Sequence, residues 1–202
     1  MAIKAVIFDL AGVVLFPIRG TFNSLLAERL DAPLDAVERV MSDHTNDQWD
    51  LNEISDEDFY NHLLTELNQP FEKKAIIRKF VVDDFYVDQE MLTLVRELRK
   101  SCTTALLTNF PNHVHDFMKR SWHMDGAFDH IIVSADVGLI KPDPRIYQLS
   151  LEHVGCQAHE AVFIDDRKIN VDAAQGQGIK GILFKSKAKT IASLSRILRS
   201  SR

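Results

Sequence analysis

Short, almost unbroken apolar runs recur along the chain: Ala5-Val6-Ile7-Phe8, Thr104-Ala105-Leu106-Leu107, Ile131-Ile132-Val133, Ala161-Val162-Phe163-Ile164 and Gly181-Ile182-Leu183-Phe184. A strand covered on both faces has no polar side to alternate with, so such runs predict the buried strands of a parallel sheet. The segments between them carry helical spacing and helical punctuation. Asp143-Pro144 stands ahead of Arg145 to Val154, with an acid suited to the N-cap and a proline at the first helical position, where no backbone donor is needed. Strands alternating with helices predict an α/β fold built on a parallel sheet.

One stretch departs from this pattern. From about residue 16 to 88 no run reads as a strand, and the apolar residues fall at helical spacing. Ser55-Asp56-Glu57-Asp58 has the form of a capping box ahead of Phe59, Leu63 and Leu64, and a second helical pattern covers Ala75 to Phe80. Asp88 is placed to cap a helix from Gln89 to Lys100 that returns to the sheet. A crossover between parallel strands needs little more than about a dozen residues, so roughly 70 residues of helix after the first strand predict a separate cap. The expected division is a core of residues 1–15 and 89–202 and a helical cap of residues 16–88.

Composition narrows the function classes. At 202 residues the chain suits one core with an appendage, and 46% hydrophobic with 26% charged residues is ordinary for a globular protein. The net charge is −5, and Lys and Arg are scattered without a basic run, which speaks against nucleic-acid or membrane partners and leaves a small molecule as the expected one. Cys102 and Cys156 are too few for a disulfide framework or a zinc site, in keeping with a cytoplasmic setting. Asp9 interrupts the apolar N-terminal run, which argues against a signal peptide, and no stretch approaches the roughly 20 apolar residues that span a bilayer.

Open parallel sheets bind ligands beyond the carboxyl ends of their strands. Asp9 follows the first run, Thr108-Asn109 the second, Lys141 lies in the loop beyond the third, and Asp165-Asp166 close the fourth. Three carboxylates, a hydroxyl and a cation are thus expected at one rim. Clustered acids repel unless something positive compensates, and a hard divalent cation such as Mg²⁺, held by carboxylates and substrate phosphate, is the simplest answer. Lys141 and Thr108 would clamp the remaining phosphate oxygens. Each residue also has a plainer reading: Asp9 as a strand-end cap, Lys141 as a solvated loop lysine, Asp165-Asp166 as acids favouring a helix N-terminus, Thr108-Asn109 as a turn. A charge ending a buried apolar run is costly without a partner, which favours function for Asp9. His113 and His115 are read as solvated, Trp49, Phe59 and Tyr60 as cap core or pocket lining, and Arg19 as a residue that might reach the far end of a substrate.

On these residues the chain resembles the haloacid dehalogenase-like superfamily over nearly its whole length. Phe8 to Val14 is similar to the family's first motif, Leu106 to Asn109 to its second, Lys141 to Pro144 to its third, and Ile164 to Arg167 with Asn170, Ala173 and Ala174 to its fourth. The resemblance implies a Rossmann-like three-layer α/β/α core with a parallel five-stranded sheet and an inserted helical cap. It makes Asp9 the nucleophile of an aspartyl-phosphate. It assigns Mg²⁺ to Asp9, the backbone carbonyl of Ala11, Asp166 and Asp165, the last directly or through water. Phosphoryl oxygens fall to Thr108, the backbone of Asn109 and Lys141. The departure is Ala11, where phosphatases of the family usually carry a second Asp that protonates the leaving oxygen and activates water. The resemblance then implies a phosphatase of small phosphate esters with good leaving groups, similar to bacterial glucose-1-phosphate phosphatases and the N-terminal domain of soluble epoxide hydrolases. A pseudoenzyme that keeps the fold, and a metal-free 2-haloacid dehalogenase, are the alternatives.

Overall fold

Alternate residues of a strand point to opposite faces, and here both faces of every apolar run are covered. The computed structural model describes residues 2–200. In it, β1 (Ala5–Phe8) leads through a tight loop to β2 (Leu15–Pro17). The α-helices α1 (Phe22–Leu30), α2 (Leu34–Met41), α3 (His44–Asp50), α4 (Asp56–Glu66) and α5 (Lys74–Asp83) follow. After β3 (Phe85–Val87) and α6 (Gln89–Leu98) the chain enters β4 (Thr103–Thr108), the short turn α7 (Val114–Asp116), β5 (His130–Val133) and α8 (Ser134–Val137). It ends with α9 (Pro144–Val154), β6 (Ala161–Asp165), α10 (Lys168–Gly176), β7 (Lys180–Leu183) and α11 (Lys187–Ser200).

The five predicted strands form one parallel sheet in the order β5-β4-β1-β6-β7, with β1 at its centre. Val6, Phe8, Leu106, Val133, Val162, Ile164 and Ile182 join Met91, Leu92 and Val95 of α6 and Leu194 of α11 in one apolar cluster. Their neighbours Ala5, Ile7, Ala105, Leu107, Ile132 and Phe163 join Ile146 and Tyr147 of α9 and Ala174 of α10 in another. The result is a three-layer α/β/α core. The first cluster runs on without a break into the helices of residues 22–83, through Leu25, Leu30, Phe59, Leu63 and Phe80.

The helix signals hold where a side chain caps an end. Ser55 and Asp58 form the reciprocal capping box of α4, Asp88 accepts from the Glu90 and Met91 N–H groups to start α6, and Asp143 accepts from the Arg145 N–H ahead of α9. The strand-free reading of residues 16–88 fails at its two edges, where β2 and β3 pair antiparallel with Phe16 opposite Tyr86. Three-residue runs are too short to show an alternation, and their partner lies far away in sequence. Among the described residues no helix is long and apolar enough to cross a membrane.

Candidate active site

The carboxyl ends of β1, β4 and β6 carry the candidate residues to one rim. Asp9 follows β1, its N–H bonded to the Ile164 carbonyl at 2.8 Å, and its Oδ1 accepts from the Leu10 N–H at 2.7 Å. Lys141 Nζ lies 2.7 Å from Asp9 Oδ1 and 2.9 Å from Asp165 Oδ2, and donates to the Leu107 carbonyl at 3.1 Å. Asp9, Lys141 and Asp165 are all buried, so the solvated-lysine reading of Lys141 is excluded.

Asp165 is fully committed. Its Oδ2 takes Lys141 and Asn170 Nδ2 (3.0 Å), and its Oδ1 takes the Arg167 N–H (2.8 Å) and the same Asn170 nitrogen (3.1 Å). Four contacts fill the acceptor sites of one carboxylate. Asp166 is exposed, and Gly12 makes room for it: φ at Gly12 is +80°, and a Cβ there would stand 2.5 Å from Asp166 Oδ2. Only glycine meets both demands. Ligand oxygens of Asp9, Asp165 and Asp166 all lie within 4.8 Å of one another.

The electrostatics follow from this crowding. Burial alone would discharge Lys141, but Asp9 and Asp165 outweigh it and hold the ammonium above its usual range. Burial pushes the Asp9 carboxyl up, with Asp165 and Asp166 adding to the effect and Lys141 opposing it. Burial and Asp165 likewise raise Asp166. One buried ammonium faces three carboxylates, an imbalance of the size a divalent cation corrects.

Thr108 ends β4 and is buried at the same rim. Asn109, expected to offer its backbone, also uses its side chain: Nδ2 donates to the Lys141 carbonyl (3.0 Å) and Oδ1 accepts from the Lys141 N–H (2.9 Å). The backbone of Ala11 bridges to Leu15 in the loop after β1, and its methyl carries no titratable group. Arg19 does not reach the site; it pairs with Glu28 on the surface at 2.5 Å.

His115 pairs with Asp136 in the open, but the solvated reading fails for His113, which is half-buried, bonds Asp56 at 3.1 Å and packs against Trp49. Its partner lies in α4, beyond the reach of local pattern. Trp49, Phe59 and Tyr60 line an apolar pocket with Phe22, Leu63 and Phe80, so they are both core and pocket wall.

Two contributors escaped sequence reasoning. Asn170 was quoted only as part of a motif, although an Asn five residues after the Asp165 that ends β6 signals a side chain turned back to the rim. Asp50 ends α3 with no local signal at all. Its carboxyl is pushed up to about 7, chiefly by burial and then by Asp47, against the pull of Lys141 and Arg167.

Comparisons with known proteins converge on this geometry. The family model for haloacid dehalogenase-like hydrolases matches residues 3–178. A sesquiterpene phosphatase of Aspergillus oryzae is 27% identical over 197 residues, covering 96% of each chain. The mouse bifunctional epoxide hydrolase 2 is 26% identical over 222 residues; the match takes in 98% of this chain but 39% of that protein. Among solved structures, a haloacid dehalogenase family enzyme of Bacteroides thetaiotaomicron, crystallised with magnesium and inorganic phosphate, superimposes with a TM-score of 0.73 over 92% of this chain and 96% of its own, at 21% identity, a likeness of fold.

Proposed function

We propose that the chain, which belongs to the haloacid dehalogenase-like hydrolase family, is a Mg²⁺-dependent phosphatase of a small phosphate monoester that works through an aspartyl-phosphate on Asp9. The observation that carries this reading is the cluster of Asp9, Asp165 and Asp166 beside the buried Lys141. The phosphatase among its relatives supports the reaction class, and the magnesium and phosphate of the Bacteroides enzyme support the cofactor.

The donor set fits a hard cation: carboxylate oxygens, a glycine-made gap beside Asp166, and two negative charges in excess of the buried ammonium. Asp9, Asp166 and the Ala11 carbonyl would hold it, with Asp165, whose oxygens are taken, acting through water. Bound there, Mg²⁺ supplies charge neutralisation for the phosphoryl group. Both partners of the Asp9 carboxylate take Oδ1, so Oδ2 is the oxygen that attacks phosphorus while the ester oxygen leaves. Lys141 and Thr108 steady the phosphoryl oxygens, and Asn109 and Asp165 hold Lys141 in place. Water then attacks the phosphoryl group and frees Asp9.

With Ala11 in the loop after β1, no acid there can protonate the leaving oxygen, so esters with good leaving groups, such as a sugar 1-phosphate or an acyl phosphate, turn over fastest. The aromatic pocket beside Trp49 favours a second reading of the organic half, an apolar ester, in line with the sesquiterpene phosphatase. Phosphate release from acetyl phosphate, glucose 1-phosphate, glucose 6-phosphate, p-nitrophenyl phosphate and farnesyl phosphate, with Mg²⁺ and with EDTA, tests both. Metal-dependent release that Asp9→Asn abolishes supports the phosphatase. Silence across the panel points to a pseudoenzyme, and metal-independent halide release from 2-chloropropionate to a dehalogenase.

A further inference from the structure

The loop from Leu10 to Phe16 contains no titratable side chain, and the rim acids are occupied: Asp165 by four contacts, Asp9 by Lys141 and the Leu10 N–H. A group that moves protons at the leaving oxygen must therefore come from elsewhere. The helices between β2 and β3 bring one acid over the rim. Ser134, buried directly after β5, donates from Oγ to the Asp50 carbonyl at 2.5 Å, and the same Oγ accepts from the Phe110 N–H at 3.0 Å. Phe110 follows Thr108-Asn109 in the chain. The end of α3 is thus pinned, by one serine, to the segment that continues the β4 strand end.

We infer that Asp50 is the proton donor and acceptor that residue 11 lacks. This rests on the aspartyl-phosphate reading above. As Asp9 Oδ2 bonds to phosphorus and the ester P–O bond breaks, the Asp50 carboxyl gives its proton to the departing oxygen, and the alcohol leaves neutral. In the second half the Asp50 carboxylate takes a proton from the water whose oxygen bonds to phosphorus, the Asp9–phosphorus bond breaks, and both acids return to their starting states.

The surroundings suit the role. The charges acting on Asp50 are Asp47 on its own helix and Lys141 and Arg167 from the sheet side, and the last two belong to the rim where the phosphate would bind. Unlike Asp165, the Asp50 carboxylate has one long contact among the described residues, from Asn46 Nδ2 at 3.5 Å, so a proton on it is free to be passed on. A carboxyl raised to about 7 is poised for transfer in both directions near neutral pH.

The test compares kcat/KM for acetyl phosphate, p-nitrophenyl phosphate and a series of alkyl phosphates in the wild-type chain, Asp50→Asn, Asp50→Glu and Asp50→Asn with Ala11→Asp. Asparagine keeps the main-chain bond to Ser134, and an unchanged melting temperature verifies the fold. The expected loss in Asp50→Asn is about 10²-fold or more greater for alkyl esters than for acetyl phosphate. The alkaline limb of the alkyl-ester pH profile should go with it, and both Asp50→Glu and the added Ala11→Asp should restore part of the alkyl activity. An equal loss on every ester, no loss, or a wild-type chain that cleaves acetyl phosphate but no alkyl ester overturns the assignment to Asp50 alone. A wild-type chain that releases phosphate from no ester overturns the phosphatase reading, and this inference with it.

Discussion

The parallel sheet and the helices of residues 22–83 treat polar groups in opposite ways. In the sheet region Asp9, Lys141, Asp165 and Asn170 are buried and bonded to one another at a single rim. In the helices the interior is aromatic: Trp49 stacks on Phe59 with centroids 4.0 Å apart, and Phe22 meets Phe80 edge-on at 5.2 Å. Polar side chains there serve the helix ends, as Thr21, Asp43 and Ser55 do. Fixed charge is expensive to bury and is tolerated only as a mutually satisfied set. The sheet holds that set, the helices hold an adaptable apolar surface, and Asp50 is the point where the second region lends an acid to the first.

Breaking the charged set should have the largest effect on stability. Lys141→Met leaves Asp9 and Asp165 buried without their ammonium, and truncating one partner of a buried pair costs about 3–5 kcal/mol. Urea unfolding should show this loss, part of it recovered by Mg²⁺, together with loss of phosphate release. An unchanged midpoint would mean that the rim charges do not depend on one another, and the contrast between the two regions would lose its basis.

The apolar side of the comparison is tested by Phe59→Ala, which removes a ring with 1% exposure and should cost about 3–5 kcal/mol. Phe59 shares its cluster with Phe8 of the central strand. The expected outcome is therefore one cooperative transition at a lower midpoint, with Trp49 in the helices and Trp122 outside them reporting the same curve. Two separated transitions would show that the helices unfold as a unit of their own.

How far the sequence disclosed this arrangement follows the same division. A strand buried on both faces has a pattern of its own, so the five runs and the residues at their ends were legible, and the rim of Asp9, Thr108, Asn109, Lys141, Asp165 and Asp166 follows from strand ends alone. What stayed hidden depends on contacts between distant segments. The pairing of β2 with β3, the seat of His113 against Asp56 and the bond from Ser134 to Asp50 leave no periodicity behind. Arg19 shows the converse error, since nearness in sequence to the first motif did not bring its side chain to the site.

The smallest expected effect lies where the two regions join. Asp88 caps α6 through the Glu90 and Met91 N–H groups, receives Lys187 of α11 at 2.6 Å, and gives its own N–H to the Val14 carbonyl. Burial alone would raise its carboxyl, but Lys187 and the capping N–H groups outweigh burial and hold it below the usual carboxylate range. A folded-state value below the unfolded one contributes stability that is present above the unfolded value, about 3.9, and is lost as pH falls through the folded value. Asp88→Asn keeps the cap acceptor and removes the charge, so it should cost about 1 kcal/mol at pH 7. In urea titrations the difference from wild type should persist at pH 5 and shrink toward zero in strong acid as the wild-type carboxylate is protonated. A difference that stays constant into strong acid would trace the loss to the geometry of the cap rather than to its charge, and would make the junction, like the helix ends, a matter of hydrogen bonding alone.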